Sequence, residues 1–183
     1  MKIKIINPNT TQSMTDKIAA SAKVVASSGT QIIAVSPQMG PATIESYYDE
    51  ALSAVGVLEE IRQGELLGVD AYVIACFGDP ALYAAREMTS APVIGIAEAA
   101  MRTASYVSTG FSVVTTLQRT VNMSWHLAHR YGATHFAKMF ELVTLQLKSW
   151  SFLTQMLIEQ YEMSAKKHWR KIKAMQLFWA VQV

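Results

Sequence analysis

The chain has 183 residues, 51% of them hydrophobic, with a formal charge of +2 and one cysteine, Cys76. That length buries a sizeable core as one domain or two small lobes, and the charge is too small to point to nucleic acid. No apolar run is long enough to span a membrane, and a lone cysteine excludes an internal disulfide and suits a reducing cytoplasm.

No secretory leader is expected, because Met1-Lys2 runs straight into a short apolar strand, Lys2 to Ile6, ending in Asn7-Pro8-Asn9-Thr10. A helix follows from about Thr11 to Ser27, with Met14, Ile18, Ala22 and Val25 at spacings of three and four. Gly29 closes it, Gln31 to Val35 reads as a strand, and Gly40-Pro41 opens a loop before a long helix from about Ser46 to Leu67. Ala71 to Ala75 is an apolar strand that delivers Cys76 to a turn, Phe77-Gly78-Asp79-Pro80. A helix is expected from Pro80 to Met88, a strand from Val93 to Ile96 and a helix from Ala97 to Tyr106. A strand from Phe111 to Thr115 and a helix from Leu117 to Tyr131 complete the regular pattern.

Strands alternating with helices imply an α/β fold with a mainly parallel sheet covered on both faces. Ligands of such sheets bind beyond the carboxyl ends of the strands, where Asn7-Pro8-Asn9-Thr10, Cys76-Phe77-Gly78 and Thr115-Thr116 all fall. At the cysteine turn Gly78 permits a sharp bend, Asp79 suits an N-cap and Pro80 the first helical position. A helix end beside the sulfur lowers its pKa and favours the thiolate. Each motif also has a plainer reading. A free cysteine is often simply core, the asparagine motif serves equally as a turn with an N-cap, and Thr115-Thr116 serves equally to cap the next helix. His126 and His129 share a helix face but have no third ligand nearby, so no metal site is assigned. Glu45 is either a site carboxylate or a helix-start residue.

Together the motifs are more specific. Ile6-Asn7-Pro8-Asn9-Thr10, Gly40-Pro41-Ala42-Thr43-Ile44-Glu45, Ala75-Cys76-Phe77-Gly78-Asp79-Pro80, Pro92-Val93-Ile94-Gly95-Ile96 and Ser112-Val113-Val114-Thr115-Thr116 resemble the hydantoin and allantoin racemases of the aspartate/glutamate racemase superfamily. The resemblance runs through residues 1–139. It implies two Rossmann-like α/β lobes with the site between them, a small ring substrate and no cofactor. It also implies a cysteine from each lobe flanking the substrate carbon, one removing a proton and the other returning it on the opposite face. By that resemblance Cys76 is the first-lobe acid and base, and Asn7, Asn9, Gly78, Thr115 and Thr116 are candidates for holding the ring. Members of the family commonly assemble, which leaves a homo-oligomer open. Relatives in the superfamily isomerise maleate, racemise aspartate or glutamate, or decarboxylate aryl-malonates. A non-catalytic product is a further alternative.

The carboxyl-terminal part departs from that pattern. From Phe140 onward there is no Gly, Pro, Asp, Asn or Cys, and three of the four tryptophans (Trp150, Trp169 and Trp179) fall there. Six basic residues stand there against three glutamates, which leaves 10 basic and 11 acidic residues in the first 139. The family's second cysteine lies in a strand ending Leu-Gly-Cys-Ala-Gly or similar, and the chain has no such segment. Codons for Lys173 to Val183, read in a shifted frame, can encode Ser-Asp-Ala-Ile-Val-Leu-Gly-Cys-Ala-Gly. In that frame Phe178-Trp179 forces Leu, Trp179-Ala180 forces Gly and Met175-Gln176 forces Ala. The expected organisation is therefore a first lobe over 1–96, the start of a second over 97–139, and an out-of-frame tail over 140–183. The tail's helical stretches, such as Leu153 to Tyr161, replace the rest of the second lobe, and loss of the second cysteine leaves racemisation impaired; the alternative is a genuinely divergent helical C-terminus.

Overall fold

The computed structural model describes residues 1–142. The tail from 143, with the helical stretch expected at Leu153 to Tyr161, lies outside those residues. In chain order come β1 (Lys2–Ile6), α1 (Gln12–Val25), β2 (Gln31–Val35), α2 (Tyr47–Leu66), β3 (Ala71–Ile74) and α3 (Leu82–Met88). Then follow β4 (Val93–Gly95), α4 (Ile96–Val107), β5 (Phe111–Thr115), α5 (Gln118–Arg130) and β6 (Ala137–Leu142). The expected α/β fold with parallel sheets forms. One sheet has four parallel strands in the order β2-β1-β3-β4, and a second pairs β5 with β6, also parallel.

The strand β6 is not predicted from the sequence pattern. It runs through Met139 and Phe140, across the position where the atypical tail is expected to start.

Burial follows from pattern. In α2, Val57, Ile61 and Gly64 recur at helical spacing and form the buried face, while Ile6, Tyr72 and Ile74 are fully buried strand residues. Gly64 allows this approach: a Cβ there would stand 2.4 Å from the Tyr72 hydroxyl oxygen. Lys4 is buried in β1, and its Nζ meets the Glu60 carboxylate at 2.8 Å and the Glu60 carbonyl at 2.7 Å. The α1 pattern is only partly core, with Met14, Ile18 and Ala22 half-buried and Val25 exposed. Among the described residues no helix is long and apolar enough to cross a membrane.

Strand order places the site. β1 is followed by β2 on one side and by β3 on the other, so the chain changes direction across the sheet between β1 and β3. The carboxyl ends of those two strands lie side by side, Ile6 opposite Ile74, with the Ala75 N–H donating to the Ile6 carbonyl at 2.8 Å. The Asn7 and Cys76 segments therefore leave the sheet together at a topological switch point.

Candidate active site

The asparagine turn after β1 is held by its own side chains. The Asn7 amide donates to Asn9 Oδ1 at 2.9 Å and to Thr15 Oγ1 at 3.0 Å, and Asn9 Oδ1 also accepts the Thr11 N–H at 2.9 Å. Both asparagines are buried. Beyond them the Thr10 N–H donates to the Pro41 carbonyl at 3.0 Å and the Thr11 hydroxyl to the Ala42 carbonyl at 2.7 Å. These bonds hold the Gly40 to Glu45 loop against the turn and bring Ile44 to the wall of a cavity.

That cavity is lined by Cys76, Phe77 and Gly78 from the β3 turn, by Val113 to Thr115 at the end of β5, and by Thr120, Met123, Ser124 and Leu127 of α5. Of the residues expected at the site, Cys76, Gly78 and Thr115 come together here, from both sheets. Asn7, Asn9 and Thr116 are not among the lining residues. Thr115 is bonded to Thr120 hydroxyl to hydroxyl, and Thr120 Oγ1 donates to the Leu117 carbonyl at 2.7 Å. Neither Thr115 nor Thr116 caps α5, whose N-cap is Leu117.

The turn after Cys76 differs from its expected form. Left-handed backbone falls on Asp79 (φ 46°) and Ala81 (φ 59°), not on Gly78, and α3 begins only at Leu82. Asp79 and Pro80 are therefore not the start of α3. The Asp79 carboxylate instead caps α4, accepting the N–H groups of Ala97 at 3.0 Å and Glu98 at 2.8 Å, and it also accepts the Tyr131 hydroxyl at 2.7 Å. Gly95 makes room for it, since a Cβ there would lie 2.3 Å from the Asp79 carboxyl carbon.

The thiol is displaced in the opposite direction from that expected. Burial pushes Cys76 up to about 12. The Gly78 N–H pulls it down, and the charges of Asp79 and Glu50 push it further up. With α3 starting only at Leu82, Asp79 and Pro80 do not put a helix start at the cysteine turn. Cys76 is nonetheless partly exposed.

Next to Ile44 in the chain, Glu45 is not the capping carboxylate of α2. Asp49 takes that role, accepting the Ser46 hydroxyl at 2.7 Å and the Glu45 N–H at 3.0 Å while its own N–H donates to Ser46. The Glu45 side chain faces Arg119 of α5 at 3.7 Å. Tyr47 is bonded to His126 and stacks on it at 5.9 Å, and His129 lies edge-on to Trp125. Two acidic residues near the thiol, Asp79 in its true role and Glu50, escape a reading by local spacing. The partners of Asp79 come from remote helices and Glu50 arrives from α2, and the only sequence signal is their place beside a strand-end cysteine and in the first turn of α2.

The fold and site define a doubly wound α/β protein with a cavity at the carboxyl ends of its strands, bordered by one thiol and a buried threonine. The chain belongs to the Asp/Glu/Hydantoin racemase family, whose model matches residues 3–156. The resemblance drawn from its motifs is borne out. It is 61% identical over 132 residues to a hydantoin racemase of Pseudomonas sp. (strain NS671), covering 72% of this chain and 53% of that protein. A hydantoin racemase of Rhizobium meliloti is 49% identical over 145 residues, covering 79% of this chain and 60% of that one. The fold is similar to the allantoin racemase from Klebsiella pneumoniae, with a TM-score of 0.82 and 49% identity over 91% of this chain and 69% of the other. The chain thus spans little more than half the length of the first two relatives.

Proposed function

We propose that the chain removes the ring-carbon hydrogen of a five-substituted hydantoin or of allantoin without a cofactor, with Cys76 as acid and base. The observation that carries this reading is the meeting of the Cys76 thiol with Gly78 and Thr115 around one cavity. The names of the similar proteins supply the substrate class.

The thiolate form takes the ring proton, so the C–H bond breaks, an S–H bond forms, and the electron pair passes to the neighbouring carbonyl as an enolate. The adjacent carbonyl and imide already acidify that carbon. Donors aimed at the enolate oxygen lower the barrier further. The Gly78 N–H borders the cavity. The Thr115 hydroxyl, whose proton now goes to Thr120, serves only after exchanging that partner for the substrate. Inversion needs a second acid on the opposite face. The chain has one cysteine, so the proton returns to the face it left, and exchange outpaces racemisation.

The same reading divides the chain into a first lobe over 1–96, the start of a second over 97–139, and an out-of-frame tail from about 140. It places the protein in the cytoplasm, where a lone thiol stays reduced. Incubating each enantiomer of a hydantoin in deuterated buffer tests the proposal. The expected result is slow deuterium incorporation into one enantiomer with little change in optical rotation. Rapid racemisation of both would sink the one-thiol account.

A further inference from the structure

Ile44 lines the cysteine cavity from the first half of the chain, and Thr120, Met123, Ser124 and Leu127 of α5 line it from the second. Among the described residues no backbone hydrogen bond joins the segment carrying Ile44 to α5. Two side-chain bridges join them instead. Glu45, next to Ile44 in the chain, meets Arg119, next to Thr120, at 3.7 Å. The Tyr47 hydroxyl is bonded to His126 Nδ1, and the two rings stack at 5.9 Å with 27° between their planes. Arg119 and His126 stand about two turns apart on α5, so both bridges leave the helix along one line. The carboxyl end of α5 is fixed separately, by the Tyr131 hydroxyl on the buried Asp79 carboxylate.

The cavity must widen to take a ring. Its volume is about 40 Å³, enough for about three waters at roughly 10–15 Å³ each. A hydantoin ring with its two carbonyl oxygens is larger.

We propose that Tyr47 and His126 form a latch between the two walls, with Glu45 and Arg119 as its weaker second contact. They are positioning residues for Cys76: the ring enters when the latch opens and is held against the thiol when it closes. As the bridges part, α5 turns about its Tyr131 end. Tyr47 and His126 are both exposed, so water replaces their bond at little cost, as a contact made and broken in each cycle requires. Arg119 is 61% and Glu45 34% exposed, and water and salt weaken their attraction. The Tyr47–His126 contact adds stacked rings to its hydrogen bond and is the stronger of the two.

The substrate half of this inference rests on the racemase reading; access to the thiol does not. The test measures two rates in the parent chain, Tyr47→Phe, His126→Leu and His126→Asn. One is alkylation of Cys76 by iodoacetamide at a fixed pH, the other deuterium exchange into a hydantoin over a range of concentrations. Phe keeps the stacked ring and loses the hydrogen bond, while Asn places an amide atom where His126 Nδ1 stands. In Tyr47→Phe and His126→Leu, alkylation rises about 3- to 10-fold, the contribution of one hydrogen bond, and KM for the hydantoin rises by a similar factor. The kcat changes less, because the latch acts on binding rather than on the proton in flight. His126→Asn returns both rates toward the parent values. The melting temperatures stay close to that of the parent chain, since the substituted residues are exposed. Equal alkylation in all four proteins would overturn the inference, as would a rise that merely tracks a falling melting temperature. If Tyr47→Phe does not fold, the comparison of His126→Leu with His126→Asn decides. If the parent chain exchanges no hydantoin proton, the racemase reading fails while alkylation still decides the latch.

Discussion

The hydroxyl of Tyr131 donates to the carboxylate of Asp79 at 2.7 Å, tying the end of α5 to the turn that carries Cys76. Through its other contacts the same carboxylate holds the start of α4. One buried side chain thus fixes the cysteine turn against α4 and the end of α5. Replacing Asp79 with Ala strands three donors, and a loss of about 3 kcal/mol or more is expected in chemical denaturation. Tyr131→Phe removes one donor and is expected to cost about 1–2 kcal/mol. Equal losses would contradict this hierarchy.

Lys4 and Glu60 form a buried ion pair between β1 and α2. Lys4→Met alone leaves an unpaired buried carboxylate and is expected to destabilise by about 3–5 kcal/mol. The double change Lys4→Met with Glu60→Leu is expected to recover most of that loss, as an apolar pair of similar volume. A double mutant no better than the single would show that the pair does not act as a unit.

Gly64 sits in the last turn of α2, where alanine is still ordinarily favoured over glycine, by up to about 1 kcal/mol. Here the added Cβ would strike the buried Tyr72 ring, whose hydroxyl donates to Glu65 Oε1 at 2.7 Å. Gly64→Ala is therefore expected to lower stability by about 1–3 kcal/mol, as an overpacked core site does. A raised melting temperature would show that the helix shifts freely.

The thiol sets a pH dependence. Its folded value of about 12 exceeds its ordinary 9.0, so the folded chain holds this proton after the unfolded chain has lost it. The contribution of Cys76 to stability is whole below the ordinary value and is lost as pH rises toward the folded one. Cys76→Ser is expected to flatten that part of the stability profile, and alkylation of the parent chain is expected to be slow at neutral pH. An unchanged alkaline limb in Cys76→Ser would contradict the assignment.

Local pattern carried much of the fold. Lys2–Ile6, Gln31–Val35 and Phe111–Thr115 form over the predicted residues, because a short apolar run beside a turn-former has few other ways to bury itself. The helices shift by a few residues at their ends. What local pattern could not reveal depends on remote partners. Asp79 looks like the cap of the helix that follows it, yet its oxygens are taken by α4 and α5. The thiol's displacement follows from burial and from Glu50, which arrives on another helix. Asn7 and Asn9 mark the right end of the sheet, but their side chains bond within their own turn. β6 was hidden because Ala137 to Leu142 lies where the turn-formers stop.

The tail is testable without protein. If residues from about 140 are read out of frame, the coding DNA for Lys173 to Val183 contains, in the shifted frame, a Cys codon at the Ala180-Val181 junction. A codon there for Arg, Ser or Gly, which are the other residues the junction allows, would contradict the proposal.

The central claim is that the Cys76 sulfur moves a ring-carbon proton. Its most direct test is the rate at which that hydrogen is replaced by deuterium, followed by nuclear magnetic resonance with the parent chain and with Cys76→Ser at equal concentration. The account predicts measurable exchange with the parent chain, confined to one enantiomer, and exchange at the uncatalysed rate with the serine variant. Equal rates for the two proteins would contradict it.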